Sequence, residues 1–429
     1  MKSFNTYSFG CRVNKAEIEA LESALSTLGY TKDENNPKIF IINTCSVTHK
    51  AEREAQKYIH SLKRRVPKTK IVVTGCAATN WLKLNKKMNG VGFLVDNSNK
   101  PYLAELLEKK YFTGMTIIKK GEEVSSAESI LDIHQRSKRI MIKIQDGCHR
   151  FCSFCIVPYL RGLPQSVPIR EIVNRINTYP NYSEAILTAI NTEAYGRDID
   201  ETFVHLISSI LKNTDIPRIS FGSIHPWSLD DDFLSFYKSM CEDNRFVDFF
   251  HIPLQSGSNK ILSLMKRGYT REEFIQKLKK LSQINPFIFI GTDVIVGFLE
   301  ETNKDFEDTL TFLKKTPISK FHVFRFSKRQ HTAAFYMSKR MQEPSDSTKK
   351  YRSKTLRDLS DKKYSAFQRR HIGKTFPSLF LEKRDNEYQH VLLQNQLPAI
   401  ISSEKDYTGE IKNVKIERYQ DGNLIGKII

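Results

Sequence analysis

Residues 146–161 read DGCHRFCSFCIVPYLR and set Cys148, Cys152 and Cys155 at the spacing C-x3-C-x2-C. Three thiolates on one tight loop can hold three corners of an iron–sulfur cubane. A 4Fe-4S cluster then keeps one iron open to another ligand, whereas a closed electron-transfer cluster takes a fourth cysteine. A zinc site is the alternative. Structural zinc takes four ligands, usually from two C-x2-C pairs, and the nearest fourth ligand here is His149, inside the loop, or a distant cysteine.

Downstream of this loop, apolar strand candidates recur at 185–189, 218–221, 249–253, 287–292 and 321–326. A further one, at 140–144, leads directly into the loop. Helical patterns at 169–178, 202–212, 271–283 and 303–314 alternate with them, which predicts repeated βα units and a partial (β/α)6 barrel. Function in such barrels sits on the loops at the carboxyl ends of the strands, where the cysteine loop falls. Cys241 ends a helical run at 230–241 and is assigned to the core.

Upstream, the polar stretch 114–137 reads as a linker. Before it, three short apolar runs at 3–9, 39–43 and 71–74 each lead to a cysteine, Cys11, Cys45 and Cys76, at spacings of 34 and 31 residues. Ile18, Leu21, Leu25 and Leu28 share a helical face that stops at Gly29, and 51–65 is a second helix ended by Pro67. Alternating strands and helices predict a Rossmann-like parallel sheet, whose carboxyl-end loops converge on one edge. The three cysteines therefore share a face and read as one ligand per βα unit. Gly10 and Gly75, each just before a cysteine, admit close backbone approach.

At the other end, residues 338–384 hold fourteen lysines and arginines against five acids, with a basic helix over 349–370. This density favours phosphate contacts, Lys349, Lys350 and Arg352 among them. Short strands at 378–381, 389–393, 399–402, 411–418 and 424–429 predict a small antiparallel OB-like barrel, with Tyr388, Tyr407 and Tyr419 as base-stacking candidates. Whole-chain composition agrees. The 429 residues carry a net charge of +19, which points to a polyanionic partner, nucleic acid first. No apolar run approaches the roughly 18 residues of a membrane span, and the start MKSFNTYSFGCRVNK lacks a signal-peptide core. Seven cysteines without a secretion signal predict reduced thiols in a cytoplasm.

With Phe154 inside the triplet, the loop is the motif of radical S-adenosylmethionine (SAM) enzymes, and nearly the whole chain resembles their methylthiotransferase family. The resemblance is carried by the loop, by the trio Cys11, Cys45 and Cys76, by HIPLQSGSNKILSLMKRGYT at 251–270, by GTDVIVGF at 291–298, and by a TRAM-like end. GCRVNKAE, NTCSVTHKAERE and HVFRFSKRQHTAA are most similar to the branch acting on N6-threonylcarbamoyladenosine at position 37 of tRNA. Sister branches act on isopentenyladenosine in tRNA or on an aspartate of a ribosomal protein.

The resemblance implies three divisions: a methylthiotransferase N-terminal domain at 1–113, a radical SAM core at 134–364 and a TRAM domain at 365–429. It implies two 4Fe-4S clusters, one at Cys148, Cys152 and Cys155 binding SAM and an auxiliary one at Cys11, Cys45 and Cys76. It also implies SAM contacts near Thr188, Asn191, Gln255 and Ser256, a tRNA anticodon loop as substrate, a reductant such as flavodoxin or ferredoxin, and a cytoplasmic monomer. The reaction it implies replaces the C–H at carbon 2 of the adenine by C–S–CH3. A carboxylate on the substrate would call for a cation, and Lys328 and Arg329 are the candidates. Departures from the family pattern are Ala189 for a glycine, Leu299-Glu300 and Gln330-His331 for two Pro-Gly pairs, and the mixed segment 223–226. Rival readings are another RNA or protein substrate with an electron-relay cluster, and a non-catalytic zinc-dependent nucleic-acid-binding protein.

Overall fold

The computed structural model describes residues 2–86, 88–108, 116–117, 138–240 and 243–429. Most of the expected linker at 114–137, and Cys241, lie outside the described residues; residues 116–117 form a short strand. The chain divides into two compact units.

The first unit draws on the ranges 1–134, 146–165 and 327–332. Its parallel sheet runs in the order β2-β1-β3-β4-β5-β6, from β1 (Ser3–Ser8), β2 (Thr31–Lys32), β3 (Ile39–Thr44), β4 (Lys70–Gly75), β5 (Phe93–Leu94) and β6 (Thr116–Ile117). Strand residues alternate between two buried faces, as a sheet covered on both sides requires. Phe4, Ile39, Ile41 and Val72 pack with Leu21 and Leu25 of α1 (Arg12–Thr27). Phe40, Ile42, Ile71 and Val73 pack with Ile59 and Leu62 of α2 (His49–Arg65) and with Trp81 of α3 (Cys76–Lys83). The Thr48 side chain caps α2 by accepting from the Ala51 N–H. Helix α4 (Leu103–Glu108) adds Leu103 and Leu107 to the first face.

In the second unit, six parallel strands form the expected partial barrel. One sheet holds β7 (Arg139–Asp146), β9 (Glu184–Ala189) and β10 (Ile219–Phe221), with β8 (Gln165–Ser166) at its edge; the other holds β11 (Phe249–His251), β12 (Phe289–Val296) and β13 (Lys320–Arg325). Ile219 bridges the two by donating to the Arg245 carbonyl and accepting from Val247. The outward strand residues, such as Ile142, Leu187, Phe221, Phe250 and Val294, make one core with the surrounding helices.

Residues 375–428 close into a five-stranded barrel in the order β14-β15-β16-β18-β17, from β14 (Thr375–Asp385), β15 (Tyr388–Leu393), β16 (Pro398–Ser402), β17 (Ile411–Gln420) and β18 (Asn423–Ile428). Phe380, Val391, Leu393, Ile401, Val414 and Leu424 fill it. It is fastened within the same unit: the buried Arg218 guanidinium donates to the carbonyls of Leu392 and Leu393 at 3.0 Å each, and Gln394 donates to the Phe246 carbonyl. Tyr407 and Tyr419 pack partly against this core. Among the described residues no helix is long and apolar enough to cross a membrane.

The basic helix spans Asp346–Arg369, and its charges do not all face outward. Lys349 and Arg352 are buried, Lys349 pairing with Glu343 and Arg352 with Glu301, so these two are not phosphate contacts. Lys350 is exposed. The helix must also pack against the barrel edge, where Ser360 exchanges hydrogen bonds with the backbone of Phe321, and that inward face recruits arginine and lysine as paired groups.

Candidate functional site: two cysteine triplets and two buried arginines

Each N-terminal cysteine lies just past a strand end, Cys45 and Cys76 immediately and Cys11 after Phe9 and Gly10. Cys11 precedes α1, Cys45 follows β3 and Cys76 opens α3. Gly10 and Gly75 both hold φ +95°, a left-handed conformation that glycine tolerates without strain. A Cβ on Gly10 would stand 2.6 Å from the Cys45 Cβ and 2.9 Å from its Sγ, and one on Gly75 would stand 2.4 Å from the Thr44 carbonyl oxygen. These glycines let the three strand ends close on one another.

The thiols lie within electrostatic reach of one another. Burial pushes the Cys45 thiol up to about 12, and Cys76 and Cys11 add to the rise. Ligation to a metal centre requires the thiolate form, and a bound iron–sulfur centre supplies the positive charge that favours it. Three thiols at the ends of the neighbouring strands β1, β3 and β4 are a donor set of the kind that iron–sulfur clusters take.

The loop 146–165 belongs to the same unit as this trio. It turns tightly, with the Cys155 N–H donating to the Cys152 carbonyl at 2.9 Å, the Cys148 N–H donating to the Gly162 carbonyl at 3.1 Å, and Phe151 in a left-handed conformation. Cys152 is buried and Cys148 and Cys155 half-buried. After Cys155 the short helix α5 (Val157–Arg161) brings Ile156 and Leu160 into an apolar cluster with Cys76. Three thiols on a wrapped loop suit a cubane with one open iron.

Two arginines from distant stretches complete this unit. Arg161 is sealed from solvent and places Nε 3.4 Å from Cys76 Sγ. Burial opposes its charge, yet Cys76, Glu17 and Asp146 overcome that and hold its pKa well above the usual range. Arg329, 3% exposed, pairs with Glu52 and donates to Ser46 Oγ at 2.9 Å and His49 Nδ1 at 2.8 Å, with only its Nε left without a partner. Burial, then the Arg329 charge, lower the His49 pKa, so the imidazole is neutral and accepts. Arg329 is therefore committed to the loop after Cys45, which corrects its assignment as a waiting substrate cation. Lys328 is exposed. Neither arginine's role was legible from spacing, since Glu17 and Asn14 lie more than a hundred residues from Arg161, and Glu52, Ser46 and His49 more than two hundred from Arg329.

The four residues assigned to SAM lie at strand ends of the second unit. Thr188 is buried near the end of β9; the Asn191 N–H donates to Gln145 Oε1 at 2.9 Å, and its side chain accepts from Glu193. Gln255 has φ +76° and exchanges backbone hydrogen bonds with Asp293 and Ile295. Ser256 Oγ accepts from the Ser258 N–H and lies 3.3 Å from the Thr309 hydroxyl. Turn formation accounts for most of these bonds; the Thr188 hydroxyl and the Gln255 amide are the groups not used in them.

A partial βα barrel that carries a C-x3-C-x2-C loop defines a radical SAM enzyme, and residues 142–313 match the radical SAM superfamily. Residues 3–95 match a family described as uncharacterized protein family UPF0004. The chain is 34% identical over 387 residues to threonylcarbamoyladenosine tRNA methylthiotransferase MtaB of Aquifex aeolicus, covering 88% of this chain and 92% of that protein. It is 32% identical to the protein of that name from Rickettsia prowazekii, covering 85% of each. To tRNA-2-methylthio-N(6)-dimethylallyladenosine synthase of Wolbachia pipientis wMel it is 30% identical, covering 99% of each. The protein thus belongs to the methylthiotransferase family of radical SAM enzymes, whose chemistry uses SAM and a 4Fe-4S cluster. Among solved structures, the radical SAM methyltransferase TsrM from Kitasatospora setae is similar in fold, with a TM-score of 0.54 at 13% identity over 76% of this chain and 75% of that one. Family membership sets aside the non-catalytic zinc module.

Proposed function

We propose that the protein methylthiolates carbon 2 of N6-threonylcarbamoyladenosine at position 37 of tRNA, with the 4Fe-4S cluster that binds SAM held by Cys148, Cys152 and Cys155 and a second by Cys11, Cys45 and Cys76. The observation that carries the reading is that Cys11, Cys45 and Cys76 follow the carboxyl ends of the neighbouring strands β1, β3 and β4, with Gly10 packed against Cys45 and a buried guanidinium beside Cys76. A trio of this kind, additional to the radical SAM loop, is what sulfur insertion needs beyond radical generation. When bound, the cofactors supply the radical chemistry that an aromatic C–H with no leaving group demands.

The rest falls to the chain itself. The domain at 1–113 and the loop at 146–165 present the six thiols, the barrel within 134–364 offers Thr188, Asn191, Gln255 and Ser256 for SAM, and the small barrel at 365–429 with exposed lysines engages tRNA. An adenine of the anticodon loop leaves its stack at modest cost, as single-stranded recognition allows. Lys328, exposed, is the cation offered to the threonylcarbamoyl carboxylate. Relatives named for threonylcarbamoyladenosine match at 29–34% identity and those named for dimethylallyladenosine at 28–30%, so the choice of the first substrate rests on the segments GCRVNKAE, NTCSVTHKAERE and HVFRFSKRQHTAA. We place the reaction in the cytoplasm, with a flavodoxin- or ferredoxin-like reductant and the enzyme as a monomer.

Mass spectrometry of tRNA nucleosides from a strain lacking the gene tests the substrate. The 2-methylthio derivative of threonylcarbamoyladenosine should vanish and return on complementation. Loss of the isopentenyladenosine derivative alone would move the assignment to the sister branch.

A further inference from the structure

We infer that Arg161 is a positioning residue for the N-terminal cysteine site, setting the charge at Cys76 and tying that site to the radical SAM loop; this rests on reading Cys11, Cys45 and Cys76 as cluster ligands. A guanidinium has five N–H donors in a fixed plane. At Arg161 all five are used. Nε points at Cys76 Sγ at 3.4 Å; Nη1 reaches Glu17 Oε1 at 2.8 Å and both Asp146 oxygens at 2.9 Å; Nη2 reaches Asn14 Oδ1 at 2.8 Å and Glu17 Oε2 at 3.2 Å.

Each partner leads to a different part of the site. Asn14 donates onward to the carbonyls of Phe9 and Thr44, one near Cys11 and the other next to Cys45. Asp146 begins the loop that carries Cys148, and Arg161 ends the helix that follows Cys155. Asn97 repeats the link from another side, donating to Cys76 Sγ at 3.7 Å and to the Leu160 carbonyl at 3.1 Å. One planar cation therefore touches or is one residue removed from all three N-terminal ligand segments and both ends of the radical SAM loop.

The charge arithmetic explains why an arginine is needed. Glu17 and Asp146 are anions, Lys100 pairs with Glu17, and a ligated Cys76 is a third anion. Without Arg161 the buried Glu17 carboxylate and the partly buried Asp146 would face the thiolate, and removing one partner of a buried ion pair is severely unfavourable. An N–H donated to a ligating sulfur withdraws charge from it and raises a cluster's reduction potential. Lysine would keep the charge but not the fork.

The test uses the full-length chain with Cys148, Cys152 and Cys155 replaced by alanine, purified anaerobically, so that only the N-terminal site can hold iron. Into it are placed Arg161→Lys and, separately, Arg161→Met, the latter both alone and with Glu17→Gln to relieve the unpaired charge. The readouts are the midpoint potential of the remaining cluster and the rate of iron loss to a chelator. The expected result is a lower potential in the Met variants, a smaller drop with lysine, and roughly 10–100-fold faster iron loss, the scale typical of a lost outer partner. Unchanged potential and iron release in Arg161→Met would overturn the role of Arg161 while leaving the cluster reading intact. A parent triple-alanine protein that binds no iron–sulfur cluster overturns both.

Discussion

Arg352 sets a guanidinium nitrogen 2.7 Å from Glu301 Oε2, with both side chains all but closed to solvent. The same nitrogen reaches the Glu301 carbonyl at 2.9 Å, and the other reaches Asn303 at 3.0 Å, while Glu301 also accepts from the Gly297 N–H. The pair pins the basic helix to the loop after β12. Arg352→Ala strands a buried carboxylate and should cost about 3–5 kcal/mol of stability. Lys350→Ala, two residues earlier and exposed on another face of the helix, should stay within about 0.5 kcal/mol. Urea unfolding of the two variants beside the parent decides between them, and equal midpoints would show the Arg352 pair to be inert.

Electrostatic binding of tRNA then falls to the outward charges. Lys350, Lys362 and Lys374 are exposed. Each phosphate contact contributes a slope of about −0.7 to −0.9 to log K against log salt, so reversing all three should flatten the salt dependence by roughly two to three. Binding of every RNA should weaken alike. Affinity that barely changes between low and moderate salt in the parent contradicts the electrostatic footprint.

Much of this molecule was legible because its strands advertise themselves. Runs such as IFIINT at 39–44 and KIVVTG at 70–75 have no alternative to a buried parallel sheet, and the small barrel's short strands were bounded by turn residues. The cysteines were legible for the same reason, each following a strand end. What the sequence did not disclose is long-range pairing of charge. Arg352 and Arg329 look like surface cations in a basic chain, and only the fold supplies Glu301 and Glu52, 51 and 277 residues away, as their partners. Arg161 escaped notice because Glu17 and Cys76, which join it to the N-terminal segments, lie 144 and 85 residues earlier.

The commitment of Arg329 to Glu52, Ser46 and His49 changes what its removal should do. Arg329→Ala should lower stability by several kcal/mol and disturb the segment after Cys45, affecting turnover of every tRNA substrate equally. Lys328→Ala should instead raise KM for threonylcarbamoyladenosine tRNA with little effect on thermal unfolding. Identical kinetics for Lys328→Ala and the parent would remove it as the carboxylate's partner.

A buried carboxylate reports on the second unit by pH. Burial alone would raise Glu184, but the charges of Arg139, with Nε at 2.9 Å, and of Arg218 outweigh it and hold the pKa down to about 2. Because the folded value lies below the ordinary 4.5, the stabilisation is complete above that pH and fades as pH falls toward 2. Glu184→Gln should thus cost about 3–5 kcal/mol at neutral pH, and less at pH 3.5, in urea unfolding of the iron-free chain. A deficit that grows with acid would reverse the sign and refute the assignment.

The two cysteine sets should be separable in chemistry although they share a compact unit. Replacing Cys11, Cys45 and Cys76 by alanine removes the thiols but only one of the partners of Arg161; Glu17, Asp146 and Asn14 remain, and Asn97 still holds the Leu160 carbonyl. The loop carrying Cys148, Cys152 and Cys155 therefore keeps its anchor. The trio variant should retain about four irons of about eight, bind SAM and release 5′-deoxyadenosine on reduction, while methylthiolated nucleoside falls to background. Alanine at Cys148, Cys152 and Cys155 should abolish both products. Glu17→Ala, which leaves every cysteine in place, should lower the yield of both, because it loosens the guanidinium that anchors the loop. A trio variant that still makes methylthiolated tRNA would falsify the auxiliary assignment, and one that cannot cleave SAM despite a normal spectrum for its remaining cluster would show that Arg161 needs Cys76 to hold the loop.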